Sequence, residues 1–195
     1  LINKGFSFYT KTDTEVLLNA WIYWEQDCLD KLIGMFSFGI LDKLKNTLHI
    51  VRDGFGIKPL FYFNNNDFSE IIFSSEIDPI RVINDKKNKL NKNKAIEYLF
   101  YSLYDHEEET FIKEINSLKQ GHFIKFDLNN KTKIITRWWD PYIKEKLDIT
   151  YEEAKIEVRN KFLKNIELHL RSDVKIASAL SGGLDSSAII ACIKY

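Results

Sequence analysis

Cysteine and histidine are scarce in this 195-residue chain, and their placement argues against metal or disulfide chemistry. The two cysteines, Cys28 and Cys192, lie far apart, with neither the spacing of a zinc site nor the density of a disulfide framework. Both are expected to be plain buried thiols. The four histidines, His49, His106, His122 and His169, are scattered, and none has a second ligand type at helical or loop spacing. An excess of charge of one sign is missing too, because 28 Lys plus Arg balance 28 Asp plus Glu. No field that would draw the chain to nucleic acid or to an anionic membrane surface is built in. The longest apolar runs, such as Gly34 to Leu41, fall far short of the ~20 residues that span a bilayer, and no basic-then-apolar leader opens the chain. These absences point to a cytoplasmic protein with no membrane and no nucleic-acid partner. Methionine occurs once, at Met35, and the first residue is Leu1, which suggests a piece of something longer.

What is present is a globular composition, 45% hydrophobic and 29% charged, with enough apolar residues for an ordinary core. Val16, Leu17, Ala20, Trp21 and Trp24 recur at a helical period, and Thr12 with Glu15 has the form of a capping box at its start. After Gly34 the pattern changes to short strand-like runs at 35–41, 47–51, 60–63 and 71–73, which read as an antiparallel sheet. The Lys- and Asn-rich stretch 84–93 reads as an exposed connection. Helical spacing returns at 95–103, and 121–128 with 133–139 alternate like a hairpin around Asn129 and Asn130, forming a second sheet element. From 151 to 170 a 3.6-residue period places Ala154, Val158, Phe162, Ile166 and Leu170 near one face of a long helix. An apolar strand at 174–180, a glycine turn and a helix at 185–194 follow, and the composition shift at 144–150 marks a domain boundary.

Ser181-Gly182-Gly183-Leu184-Asp185-Ser186-Ser187 lies between that strand and that helix, a context in which a glycine turn binds an anion. Glycines let backbone amides turn inward, the helix start adds free N–H groups and partial positive charge, and three serines add hydroxyl donors. A pyrophosphate suits this donor set. The plainer alternative is a strand-to-helix turn in which Asp185 and Ser186 are ordinary caps. Neither G-x-x-x-x-G-K-[ST] nor G-x-G-x-x-G occurs, so a γ-phosphate-handling NTPase and a Rossmann dehydrogenase are not indicated.

Read together with G-M-F-S-F-G-I-L-D at 34–42, R-D-G-F-G-I-K-P-L-F-Y at 52–62, S-S-E-I at 74–77, T-D-T-E-V at 12–16 and R-W-W-D-P at 137–141, the chain resembles the glutamine-hydrolysing asparagine synthetases over essentially its whole length. The resemblance implies an α+β glutaminase of the N-terminal-nucleophile hydrolase type with antiparallel sheets and helices, truncated at its N-terminus, followed by the start of an α/β ATP-pyrophosphatase domain. It places the C-terminal portion of the class II glutaminase at residues 1–145 and the opening of the synthetase domain at 146–195. The implied reaction adenylates aspartate with ATP and amidates it with ammonia from glutamine, releasing AMP and pyrophosphate. The nucleophilic N-terminal cysteine of that family is absent, so no catalytic residue is assigned and the chain alone is expected to be inactive.

The family match assigns Asp13 to the α-ammonium of glutamine, although a carboxylate at a helix start also complements the helix dipole without any ligand. It assigns Leu180, Ser181, Gly182, Gly183, Asp185, Ser186 and Ser187 to ATP, with Asp185 either capping the loop or helping to place Mg²⁺, a further cofactor for which no ligand set is assigned. Arg52, Asp53, Gly54, Gly56, Lys58 and Pro59 read mostly as scaffold, and a helix start accounts for Ser75 and Glu76. The implied partners are small molecules, glutamine, aspartate and ATP, with a homodimer as the expected assembly. Two other readings stay open: a related synthetase with another acceptor, such as one closing β-lactam or peptide rings, or a truncated, non-catalytic remnant of poor solubility whose Phe36, Phe38, Ile40 and Trp21 surface is uncovered.

Overall fold

The computed structural model describes residues 1–84, 88–141 and 148–193. The chain divides into two compact units, Leu1–Pro141 and residues 142–195. The expected boundary between 145 and 146 lies outside the described residues, as does part of the 84–93 connection.

In the first unit, helix α1 (Asp13–Trp24) runs into a 3₁₀ segment at Glu25–Lys31. Strands β1 (Ser37–Asp42), β2 (Thr47–Arg52), β3 (Phe61–Asn64) and β4 (Ile71–Ser74) follow, then α2 (Ile77–Ile83) and α3 (Lys92–Tyr101). Strands β5 (Asn116–Ser117), β6 (His122–Asp127) and β7 (Thr132–Arg137) complete it. The strands form two antiparallel sheets, ordered β1-β2-β6-β7 and β4-β3-β5. This corrects the single early sheet expected from 35–73: β1 and β2 take the late hairpin as their neighbours, while β3 and β4 belong to the other sheet. Alternation identifies strands but not their partners. The physical reason is visible in β2, which has buried residues on both faces and is flanked by β1 and β6.

The layers follow from period-two alternation. Ile50, Ile124 and Phe126 point to one side and meet Leu60, Tyr62 and Leu118 between the sheets. Val51 and Phe123 point to the other side and meet Ala20 and Trp21 of α1, with Cys28 and Leu29. Phe63 of β3, beyond the second sheet, packs on Ile80 of α2 and Ile115. The unit is therefore a helix–sheet–sheet–helix stack, an α+β arrangement. Phe36, Phe38 and Ile40 are partly buried around the Trp21 cluster, so the uncovered surface expected there is covered in part within the unit.

The connection is less solvated than its composition implied: Asn84 and Asn91 are buried, Asn91 as the residue capping α3, which begins three residues before the expected start. The second unit holds α4 (Tyr151–His169), with a complete Thr150–Glu153 capping box, and α5 (Leu184–Ile193). The strand expected at 174–180 does not form. A ladder needs a partner, and no strand of this unit among the described residues supplies one. Among the described residues no helix is long and apolar enough to cross a membrane.

Candidate functional site

Asp13 is the first residue of α1, where Thr12 Oγ1 accepts the Glu15 N–H at 3.4 Å. The expected capping box is only half made. The Glu15 carboxylate reaches instead to the Tyr9 N–H at 2.9 Å, the Thr10 N–H at 2.7 Å and the Thr10 hydroxyl. Those bonds, the Thr10 hydroxyl first, hold Glu15 below the usual carboxylate range. The segment ahead of α1 is thereby fastened down, while the exposed Asp13 carboxylate has no hydrogen-bond or ion-pair partner among the described residues. It borders a cavity of about 440 Å³ lined also by Val16, Leu17, Ile33, Gly34 and Met35. A carboxylate at the rim of a mostly apolar cavity offers strong acceptors to an ammonium group.

No thiol competes for a nucleophile's role in this unit. Cys28 is fully buried, and burial together with the nearby Asp27 charge pushes its thiol up to about 11. Cys192, expected to be buried, is only half-buried on α5, because that helix has only α4 to pack against among the described residues. Iodoacetamide at neutral pH should alkylate Cys192 in the folded chain and reach Cys28 only after denaturation, as read by peptide mass spectrometry. Equal native rates would contradict the packing of Cys28 under α1.

In the second unit the serine turn is drawn together locally. Ser181 and Ser186 hydroxyl oxygens lie 3.0 Å apart, the Gly183 N–H reaches Ser181 Oγ at 3.4 Å, and Ser186 Oγ donates to the Gly183 carbonyl at 3.2 Å. Gly182 has φ +81°, a conformation other side chains rarely adopt. The first helical bond runs from the Ser187 N–H to the Gly183 carbonyl, so the N–H groups of Leu184, Asp185 and Ser186 precede it and lack intrahelical acceptors. The turn lies at the surface, with Leu180 60% exposed beside it. The residues from Leu180 to Ser187 are thus one contiguous set of donors, suited to an anion.

Arg52 and Asp53 are engaged in holding the backbone. Asp53 accepts four backbone N–H groups, and Arg52 donates to the carbonyls of Lys58, Gly56 and Leu118. Two sequence motifs meet here, since Trp138 Nε1 donates to the Arg52 carbonyl at 3.1 Å and the Trp139 ring lies 4.7 Å from Phe55. Glu76 is the residue ahead of α2, not in its first turn, and its side chain makes no capping bond; Ser74 Oγ accepts its N–H.

One cluster escaped the sequence reading. His106 does join carboxylates: ligand atoms of Glu97, His106 and Glu107 lie within 4.8 Å of one another. The Lys94 ammonium already occupies their midst, 2.9 Å from Glu97, 2.7 Å from Glu107 and 3.4 Å from His106 Nε2. A protein cation fills the place that a metal ion would need. The signal was faint, because twelve or thirteen residues separate Lys94 from the loop it binds.

Residues 1–139 match the model of the glutamine amidotransferase domain. The chain belongs to that family. Beyond the amidotransferase region, residues 157–194 match the model described as asparagine synthase. Asparagine synthetase [glutamine-hydrolyzing] 3 of Bacillus subtilis is 33% identical over 188 residues, covering 96% of this amidotransferase chain and 30% of that protein. Asparagine synthetase [glutamine-hydrolyzing] 1 of the same bacterium is 33% identical over 194 residues, covering 98% of this chain and 29% of its own length. A putative asparagine synthetase [glutamine-hydrolyzing] 2 of Methanocaldococcus jannaschii is 32% identical over 187 residues, covering 95% and 36%. The chain therefore spans about a third of the length of these relatives. The family resemblance read from the motifs is borne out.

Proposed function

We propose that this chain serves glutamine-dependent asparagine synthesis, in which ATP adenylates aspartate to β-aspartyl-AMP and ammonia from glutamine displaces AMP. The reading makes it part of a carbon–nitrogen ligase that takes its nitrogen from glutamine. The observation that carries it is the order of the two family matches, amidotransferase at 1–139 and then asparagine synthase at 157–194, along one chain. In this reading residues 1–145 are the C-terminal portion of a class II glutaminase, and 146–195 open an ATP-pyrophosphatase domain. The protein works in the cytoplasm as a homodimer on glutamine, aspartate and ATP, without nucleic acid, and the chain alone has no turnover.

Each candidate residue then has a physical task. Asp13 holds the glutamine α-ammonium at the rim of its cavity, a role supported by the lack of any other partner for its carboxylate among the described residues. Ser181, Ser186, Ser187 and the amides of Gly182 and Gly183 hold the pyrophosphate of ATP, with the Leu180 backbone beside the nucleotide. The N–H groups ahead of the first helical bond suit such an anion, and Asp185 is the carboxylate through which Mg²⁺ would be held. Magnesium supplies positive charge against the phosphate oxygens as they gain negative charge. Fixed hydroxyl and amide donors do the same without any proton transfer, which fits a loop with no histidine.

The test is binding to the ¹⁵N-labelled chain. Magnesium pyrophosphate should shift the amide signals of Gly182 to Ser187 saturably, and Ser181→Ala should weaken that response by about tenfold, the loss of one charge-assisted hydrogen bond. Glutamine should perturb the signals around Asp13 and Met35, and Asp13→Asn should abolish the effect. Pyrophosphate that leaves the serine turn untouched would sink the assignment of the nucleotide site.

A further inference from the structure

A second cavity, of about 620 Å³, lies at the other end of α1 and shares no lining residue with the cavity beside Asp13. Its size is in the range of small-molecule sites. Its floor is β2. Thr47 and His49 are two residues apart and so point to the same side of the strand. Thr47 is 4% exposed and His49 8% exposed, and Thr47 Oγ1 and His49 Nδ1 have no hydrogen-bond partner among the described residues. Buried polar atoms are nearly always bonded, so two orphans on residues that line one cavity mark a place where partners are expected. One wall is the Trp21 ring, 5.0 Å from the His49 ring and edge-on to it, and Ile40 stands opposite His49 on β1.

The charges select the partner. Lys125 stands opposite His49 on β6 and lines the same cavity, with no ion pair among the described residues. The other charged groups are largely spoken for. Glu25 is paired with Lys45, and the Asp42 carboxylate accepts the N–H groups of Leu44 and Lys45 in the β1–β2 turn, each at 2.9 Å. Lys43 adds a further positive charge at the rim. Burial first, and then the Lys125 charge, depress the His49 pKa, with Lys45 adding to this and Glu25 and Asp42 opposing it, so the imidazole is neutral near pH 7 and keeps one N–H to donate. A cationic ligand would meet Lys125 and find both carboxylates occupied. An anion meets three donors beside an apolar wall.

We propose that this cavity binds a small carboxylate with a flat apolar body, its carboxylate held by Lys125, His49 and the Thr47 hydroxyl and its body against Trp21 and Ile40. Benzoate is the probe, and benzamide, of the same shape without charge, is its control. The His49 imidazole is followed by NMR in the complete 195-residue chain, with His49→Gln assigning the signal. Benzoate should move that signal saturably and raise the pH at which His49 titrates, because a bound anion favours the charged ring. Benzamide should bind about tenfold more weakly, and Lys125→Met and Thr47→Val should each weaken benzoate by about tenfold. Thr47→Val preserves shape and removes a hydroxyl that has no partner among the described residues, so it keeps the test open if Lys125→Met fails to fold. Equal responses to benzoate and benzamide, a response that does not saturate, or undiminished affinity in Thr47→Val would each overturn the proposal.

Discussion

Replacing Asp53 by Ala should lower the unfolding free energy by about 3–5 kcal/mol, seen as a large drop in the urea midpoint. The side chain is 1% exposed and its two oxygens accept the N–H groups of Phe36 at 3.3 Å, Phe55 and Ile57 at 3.1 Å, and Lys58 at 2.9 Å. Its main chain is committed as well: the N–H donates to the Phe36 carbonyl at 2.9 Å, and its carbonyl accepts from Gly56 at 3.1 Å and Gly121 at 2.9 Å. Alanine leaves four donors without an acceptor, at about 1–3 kcal/mol for each that stays dry. Phe55 and Ile57 are exposed residues whose amides can recover water, which keeps the total below the simple sum. Asp53→Asn keeps one acceptor oxygen but turns an NH₂ group toward donors, so it should fall between wild type and Ala. A midpoint within error of wild type in Asp53→Ala would show that Arg52 and the main-chain bonds of residue 53 hold the 53–58 turn without the carboxylate.

That turn shows where sequence reading succeeds and where it stops. Asp53 reads correctly as scaffold because two glycines, a proline and a charged pair in eight residues have few other uses, but nothing in R-D-G-F-G-I-K-P says that Arg52 reaches Leu118 and Ser117 across the fold. Local signals fared best. α1 and α4 stand where their periods place them, and the β6–β7 hairpin follows from alternation around Asn129 and Asn130. Partner choice among strands fared worst, since Ile50 and Val51 are equally apolar and only the assembled layers say which one faces α1. The strand expected at 174–180 failed for the same reason in reverse: an apolar, β-branched run is a preference that becomes a strand only beside another. Of the candidate sites, the serine turn is legible because its donors are contiguous. Asp13 is legible only through the family motif, as one carboxylate at a helix start has an ordinary explanation.

Lys94→Met should cost about 2 kcal/mol near neutral pH, with the loss shrinking at both ends of the pH scale. The Lys94 side chain is buried, and its ammonium bonds Glu107 and Glu97 beside His106, tying α3 to the loop that follows it. Methionine is an unbranched side chain of similar length but makes none of these bonds. The carboxylates are 33% and 56% exposed and can turn to water, which is why the cost stays below that of a fully buried broken pair. Burial lowers the Lys94 pKa, but hydrogen bonds and charge from Glu107 and Glu97 outweigh it and leave it raised, while Glu107 is held below its usual range by its bond to Lys94. The signs follow. The Lys94 contribution is full below the ordinary lysine pKa of about 10.4 and is lost as pH rises through its higher native value. The Glu107 contribution is full above the ordinary carboxylate pKa of about 4.3 and is lost as pH falls through its lower native value. Urea midpoints of wild type and Lys94→Met, measured from pH 3 to pH 11, should therefore be furthest apart in the middle and converge at the extremes. A gap that does not change with pH would mean that the titrating charge pairs contribute nothing, and that the loop from His106 to Glu109 is held in place by the Asn91–Glu109 hydrogen bond and its other backbone bonds.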